Sequence, residues 1–251
     1  MINRMSKIKP GCEPILLKGN STGCLLLHGL SSSPYEMHFL AAQLSKNGYT
    51  VCAPLLPGHG TEPEELIDPS WYDWFAHVKE TLFELRKNVC KIFIVGQSMG
   101  AALALHLAAH YEVNGVITLA PGLFFKKKRV RFIKLLIPFK RFYYKSSGSD
   151  IKANVQTLAY DKIPLRAIQQ MLRFFNHLKN DLPDVYSPTL IIYSAQDHVV
   201  DSRSATTIYE QISAKDKRIL KLENSYHVIT LDLEKDKVFR EIENFIRYHE
   251  G

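Results

Sequence analysis

The stretch from Val89 to Ala120, VCKIFIVGQSMGAALALHLAAHYEVNGVITLA, constrains the fold more than any other part of the chain. Residues Val89–Val95 are apolar almost without a break, Met99–Tyr111 has helical spacing, and Val113–Ala120 is apolar again. Strands that are apolar on both faces and alternate with helices belong to a mostly parallel sheet covered on both sides. Between the first strand and the helix stands Gly96-Gln97-Ser98-Met99-Gly100. A polar serine between two glycines at such a junction marks a sharp backbone turn with no room for neighbouring side chains.

The alternation extends through the chain. Pro14–Leu17 and Cys24–Leu27 are short apolar runs, and Gly-Asn-Ser-Thr-Gly at 19–23 reads as a hairpin turn between them. Ser33 and Pro34 open a helix, with Glu36 expected as the acid of a capping box and Gly48 as the terminator before the strand YTVCAPLLP. A second helix starts after Ser70 and carries Trp71, Trp74, Phe75, Val78, Leu82 and Leu85 on one face. Thr189–Ser194 and Arg218–Leu222 are further strands, separated by a helix over Ser202–Ile212. The closing helix buries Val238, Phe239, Ile242, Phe245 and Ile246. The interval of about 123–186 is too long for a plain loop and carries its own helical patterns. It is read as a cap inserted into a single domain spanning 1–251.

Composition supports a globular chain. With 251 residues and 46% hydrophobic content there is enough apolar material for one large core. The N-terminus has no apolar signal-peptide core, and no run approaches the roughly 18 apolar residues of a spanning helix. Cys12, Cys24, Cys52 and Cys90 show no metal-ligand spacing and are expected as reduced thiols, so a cytoplasmic location is expected. The net charge of +7 sits in one place. Lys126, Lys127, Lys128, Arg129, Arg131, Lys134, Lys140, Arg141 and Lys145 fall within 126–145, which holds no acid, and without them the chain is slightly acidic.

G-x-S-x-G between a strand and a helix is the pattern of a nucleophile elbow, which raises the serine hydroxyl above the sheet edge. Ser98 is the candidate nucleophile. It needs a base and a group that orients the base, both from later strand ends. Asp197 in TLIIYSAQDHVVD and His227 in RILKLENSYHVITLD follow in that order. Asp201 and His198 share the Asp197 loop; Asp201 is expected at a helix start and His198 cannot turn back onto its neighbour. An oxyanion formed on attack needs two backbone N–H donors, and Met99 after the nucleophile and Leu30 in LLLHGL fit. His28 and His59 are expected to hold loops.

Together LLLHGL, PGHG, GQSMG, AQDHVVD and HVITLD resemble the bacterial carboxylesterases and monoacylglycerol lipases of the α/β-hydrolase fold, and the likeness spans nearly the whole chain. The resemblance implies that fold, with Ser98 as nucleophile, Asp197 as acid, His227 as base, and the Leu30 and Met99 amides as oxyanion hole. Ala101 stands where many members have glycine, and the basic start of the cap is unlike the family's acidic or mixed caps. The expected reaction is hydrolysis of carboxylic esters with an apolar acyl chain, short- to medium-chain esters or monoacylglycerols, through an acyl-enzyme. A thioesterase, acyltransferase or lysophospholipase, or a non-enzymatic ligand-binding protein of this fold, stays open beside it.

No metal or cofactor is expected. His106 and His110 are four apart on a helix but lack the glutamate of H-E-x-x-H and an evident third ligand. Phosphate-cradling glycine motifs are missing. The basic stretch 126–145 is read first as a lid lining the acyl site and second as weak contact with an anionic membrane surface, making the protein peripheral to it. Nucleic-acid binding has least support, since a basic run alone is weak and the rest of the chain points elsewhere.

Overall fold

The computed structural model describes residues 7–127, 130, 132–145 and 150–251. Lys128, Arg129 and Arg131 of the basic stretch lie outside the described residues. In chain order the elements are β1 (Ile15–Leu17), β2 (Thr22–Leu27), α1 (His38–Lys46), β3 (Thr50–Ala53), α2 (Trp71–Arg86), β4 (Lys91–Gln97), α3 (Met99–His110) and β5 (Gly115–Leu119). There follow α4 (Ile133–Leu136), β6 (Phe142–Tyr144), β7 (Lys162–Pro164), α5 (Leu165–Asp181), β8 (Thr189–Ser194), α6 (Arg203–Gln211), β9 (Lys217–Leu222) and α7 (Lys235–His249).

The central sheet has the order β1-β3-β2-β4-β5-β8-β9, with β1 antiparallel to β3 and every other pair parallel. The hairpin expected across 19–23 does not form. Both edges of β2 are taken, by β3 and by β4, so β1 pairs with the free edge of β3 in the register Ile15↔Ala53. The 19–23 segment instead anchors the start of α1's return: Asn20 N–H donates to Gly48 O at 2.6 Å. Gly48 ends α1 with a φ of 91°, a conformation that favours glycine.

Strand residues sort by parity into two cores. Leu25, Leu27, Ile92, Ile94, Val116 and Ile191 pack on one face with α2, α3, α5 and α6. Cys24, Leu26, Phe93, Val95, Ile117 and Ile192 pack on the other with α1 and α7. This is why the central strands read as unbroken apolar runs: alternate residues point into different cores, and both faces are covered. α2 starts at a capping box in which Ser70 N–H donates to the Asp73 carboxylate at 2.8 Å.

Between β5 and β8 the chain leaves the sheet. There β6 and β7 pair as a short antiparallel ribbon, and α5 follows directly. The apolar face of α5 (Leu165, Ile168, Met171, Phe174, Leu178) is buried in the same core as α3. In contrast, the region around α4 exposes Phe132, Leu135, Leu136 and Phe139, the last 89% exposed.

The C-terminal helix packs the Phe245 ring closely against β5. A Cβ on Gly115 would lie 2.9 Å from both the Phe245 and Phe93 rings, so the bare glycine lets both rings reach β5. Phe245→Ala is expected to lower the free energy of unfolding by about 3–5 kcal/mol. Gly115→Ala is expected to cost about 1–3 kcal/mol through overpacking. Urea titration measures both.

Candidate active site

The β4–α3 junction folds as it does because two backbones come closer than any side chain allows. A Cβ on Gly96 would sit 2.1 Å from the Gly100 carbonyl oxygen, and one on Gly100 2.1 Å from the Leu27 carbonyl oxygen. Between them Ser98 has φ 56° and ψ −111°, outside the regions a non-glycine residue ordinarily occupies. The surroundings over-determine this strain. Ser98 N–H donates to Leu119 O at 2.8 Å, and Ser98 O accepts from Ala101, Ala102 and Gly122 N–H at 3.1–3.3 Å. Ala101 is fully buried at the next position and the turn accommodates its methyl group.

The structure brings Ser98, His227 and Asp197 into one line. His227 Nε2 lies 2.9 Å from Ser98 Oγ, and His227 Nδ1 lies 2.7 Å from Asp197 Oδ2. Because a carboxylate only accepts, Nδ1 carries the proton, and the Nε2 lone pair faces the serine hydroxyl. The second Asp197 oxygen accepts from Val199 and Val200 N–H at 2.7 and 2.9 Å, which fixes the carboxylate just beyond β8. Burial alone would lower the His227 pKa. The Asp197 carboxylate, with help from Asp150 and Glu36, outweighs it and holds the ring above the ordinary histidine value. A hydroxyl, imidazole and buried carboxylate in this order can move the hydroxyl proton onto Nε2 while stabilising the imidazolium that results.

The loop carrying His227 is held by groups that the sequence reading did not single out. Gln97, the residue before Ser98, donates Nε2–H to His227 O at 2.9 Å. Asp232, the last residue of HVITLD, accepts from Tyr226 N–H at 2.6 Å and from Lys152 and Ala153 N–H at 3.0 and 2.9 Å. Asp150 O accepts from His227 and Val228 N–H. Lys126, placed in the sequence among the lid charges, donates Nζ–H to Asp197 O at 2.7 Å. The signal for Gln97 and Asp232 was their place inside the motifs; Asp150 and Lys152 are distant in sequence and gave none.

Glu36 departs from expectation. Ser33 does cap a 3-10 turn at Pro34–Met37, accepting from Tyr35 N–H, but Glu36 does not return to it. Its buried carboxyl accepts from Gly29 N–H, one residue before Leu30, and burial pushes its pKa up. Leu30 and Glu36 line the pocket into which Ser98 and His227 open, together with Leu158 and Leu231. Met99 is the first residue of α3, at the positive end of the helix dipole.

The other sequence candidates lie elsewhere. Asp201 pairs with Arg203, 2.8 Å between Oδ2 and Nη2, and stands at the start of α6. The His198 ring packs on Tyr226 with centroids 4.4 Å apart. His28 donates Nδ1–H to Gly29 O and accepts Leu56 N–H at Nε2, so it ties two loops as a neutral ring. His59 donates to Pro57 O, and burial pushes its pKa down to about 4. His110 bonds the His106 carbonyl at 2.9 Å, while the His106 ring turns to Asp181.

Comparisons with known proteins agree with this architecture. A family model described as serine aminopeptidase, S33 (Hydrolase_4) matches residues 19–234. The chain is 35% identical to a thermostable monoacylglycerol lipase of Bacillus sp. (strain H-257), covering 96% of both chains. It is 29% identical to a carboxylesterase of Bacillus subtilis (strain 168), covering 93% of this chain and 96% of that one. A solved structure described with LipS and LipT, two metagenome-derived lipolytic enzymes, superposes with TM-score 0.93 at 35% identity, over 97% of this chain and 100% of the other. The monoacylglycerol lipase of Paleococcus ferrophilus shares the fold, with TM-score 0.82 at 19% identity. The seven-stranded sheet, the elbow and these likenesses converge: the chain belongs to the serine aminopeptidase S33 family of α/β-hydrolases and is a hydrolase of the lipase and esterase type.

Proposed function

We propose that this chain hydrolyses carboxylic esters of short- to medium-chain acyl groups, including monoacylglycerols, through an acyl-enzyme on Ser98. The observation that carries the reading is the unbroken line from Asp197 through His227 to a strained Ser98. His227 Nε2 takes the Ser98 proton as Oγ bonds to the ester carbonyl carbon, and the carbonyl π pair moves onto oxygen. The Leu30 and Met99 amides receive that oxyanion. As the carbonyl re-forms, the bond to the alcohol breaks and His227 returns its proton to the leaving oxygen. Water repeats the sequence and frees the acid. The relatives named monoacylglycerol lipase and carboxylesterase support an ester over the peptide that the family description names. The apolar wall of Leu158, Val228 and Leu231 beside Ser98 suits an acyl chain. A turnover panel across acyl length, glycerides, lysophospholipids and acyl thioesters separates the ester reading from lysophospholipase, thioesterase and acyltransferase readings. Absence of turnover on all of them marks a ligand-binding protein. We also infer a cytoplasmic location, in keeping with four cysteines held as thiols.

The basic stretch supports contact with an anionic lipid surface. Lys134, Lys140 and Arg141 are exposed beside Leu135, Leu136 and Phe139, so charge and apolar surface face outward together. Among the described residues no helix is long and apolar enough to cross a membrane, and such a contact is peripheral. Each exposed cation contributes about 1 kcal/mol at an anionic surface and loses it as salt shortens the screening length.

Five outcomes are expected. Ser98→Ala lowers kcat by about 10⁴-fold or more, and Asp197→Asn is severely impaired where Asp201→Asn and His198→Ala are mildly affected, as measured by steady-state hydrolysis. Since the base acts as a neutral ring and its pKa is raised, kcat/KM falls as pH drops through a value above the usual histidine pKa of about 6.5. Glu36→Ala lowers kcat by about 10-fold or more through loss of the Gly29 tether, whereas Glu36→Gln, which keeps an acceptor oxygen, stays within a few-fold of wild type. Finally, the protein co-sediments with anionic but not neutral vesicles at low salt, and a Lys134→Gln, Lys140→Gln, Phe139→Ser variant does so less. Lys126 is left intact in that variant because it holds the Asp197 loop.

A further inference from the structure

A second cluster of ligating side chains lies far down the elbow helix. His106, on α3, projects from the buried side; His177 and Asp181 stand one turn apart on α5 and face it. His106 Nδ1 is 2.8 Å from Asp181 Oδ2, His177 Nε2 is 3.8 Å from the same oxygen, and all three ligand atoms lie within 4.8 Å of one another. A zinc-class ion holds nitrogen and oxygen ligands at about 2.0–2.1 Å in a tetrahedron, which sets ligand atoms about 3.3 Å apart. The pair distances here straddle that spacing, so side-chain adjustments of about half an ångström suffice for the two pairs that share the carboxylate.

The surroundings suit a cation. The Asp181 side chain is 14% exposed, and its ion-pair partners among the described residues are the two histidine rings. The His106 side chain that meets it is 4% exposed. His110, also beside it, spends its Nδ1–H on the His106 carbonyl. Aromatic walls fix the ring planes: Phe75 lies 4.3 Å from the His106 centroid and Trp71 5.0 Å from that of His177. The His177 side chain, 45% exposed, leaves an approach from solvent.

We propose that His106, His177 and Asp181 bind one borderline divalent transition-metal ion of the zinc class, tying α5 to α3. Three protein ligands leave a fourth position for water. On binding, the His106 proton that now points at Asp181 resides on Nε2, and the Nδ1 lone pair goes to the ion; His177 binds through Nε2 with its proton on Nδ1. The ion takes no part in ester chemistry, since His106 is eight residues from Ser98 along the helix, roughly 12 Å at 1.5 Å per residue. Its effect is to pin the inserted helix to the helix that follows Ser98. Zinc at 100 times its Kd shifts the folding equilibrium about 100-fold toward the native state.

The test is equilibrium dialysis of the tag-free full chain against ZnCl2, with thermal melts and ester turnover on the same samples. Wild type is expected to take up about one zinc per chain, to melt higher with zinc, and to keep its turnover. Removing one ligand is expected to weaken binding by at least about 10-fold. His177→Ala serves first because that side chain is half exposed and its loss leaves the core intact; Asp181→Asn serves second. No stoichiometric zinc, or unchanged affinity in both variants, overturns the proposal. So does zinc uptake that tracks loss of turnover, which would put the ion on His227.

Discussion

The start of α3 runs so close to β2 and β4 that neither Gly96 nor Gly100 has space for a methyl group, and the placement of Ser98 follows from that approach. The helix can leave the strand this sharply only if Ser98 accepts a positive φ, and the same turn lifts Oγ clear of the sheet edge. Strain of this kind costs on the order of 1–3 kcal/mol and persists because the flanking backbone is bonded to Leu119, Ala101 and Gly122. The strained conformation and the exposure of the hydroxyl are one structural fact. A relaxed turn would return Ser98 to the sheet edge and away from His227.

Positioning the His227 ring is a separate problem, solved with buried polar groups rather than apolar packing. His227 sits in a loop with no regular structure of its own, so its backbone groups need partners. Gln97, Asp150 and Asp232 supply them, and Glu36 does the same for the loop at Gly29. Each such group is desolvated, and leaving one unpaired costs about 1–3 kcal/mol. The network is therefore stable only when complete, which makes it a means of fixing geometry. The charge on Asp197 acts in the same way on the ring: it outweighs burial and holds the His227 pKa above the ordinary histidine value.

Much of this was legible in the residues. Unbroken apolar runs such as Cys24–Leu27 implied a sheet covered on both faces, and the order of Ser98, Asp197 and His227 matched the side chains that meet. What failed has physical causes. The pairing of β1 depends on which strand edges stay free, a global property that the local turn 19–23 does not encode. Glu36 obeys a local capping rule in sequence, yet a buried amide at Gly29 competes for it and wins. Lys126 reads as one of many surface charges, and only the return of the chain to β8 places its ammonium against the Asp197 carbonyl.

The central claim is that an acyl group passes through Ser98, and trapping it is the most direct measurement. The enzyme is mixed with excess p-nitrophenyl butyrate, quenched in acid during turnover, digested and weighed by mass spectrometry. The account predicts a mass increase of one butyryl group on the peptide that carries Ser98, and none in His227→Ala. A butyryl group on any other residue, or steady turnover by a chain in which Ser98 has been replaced by alanine, would contradict it.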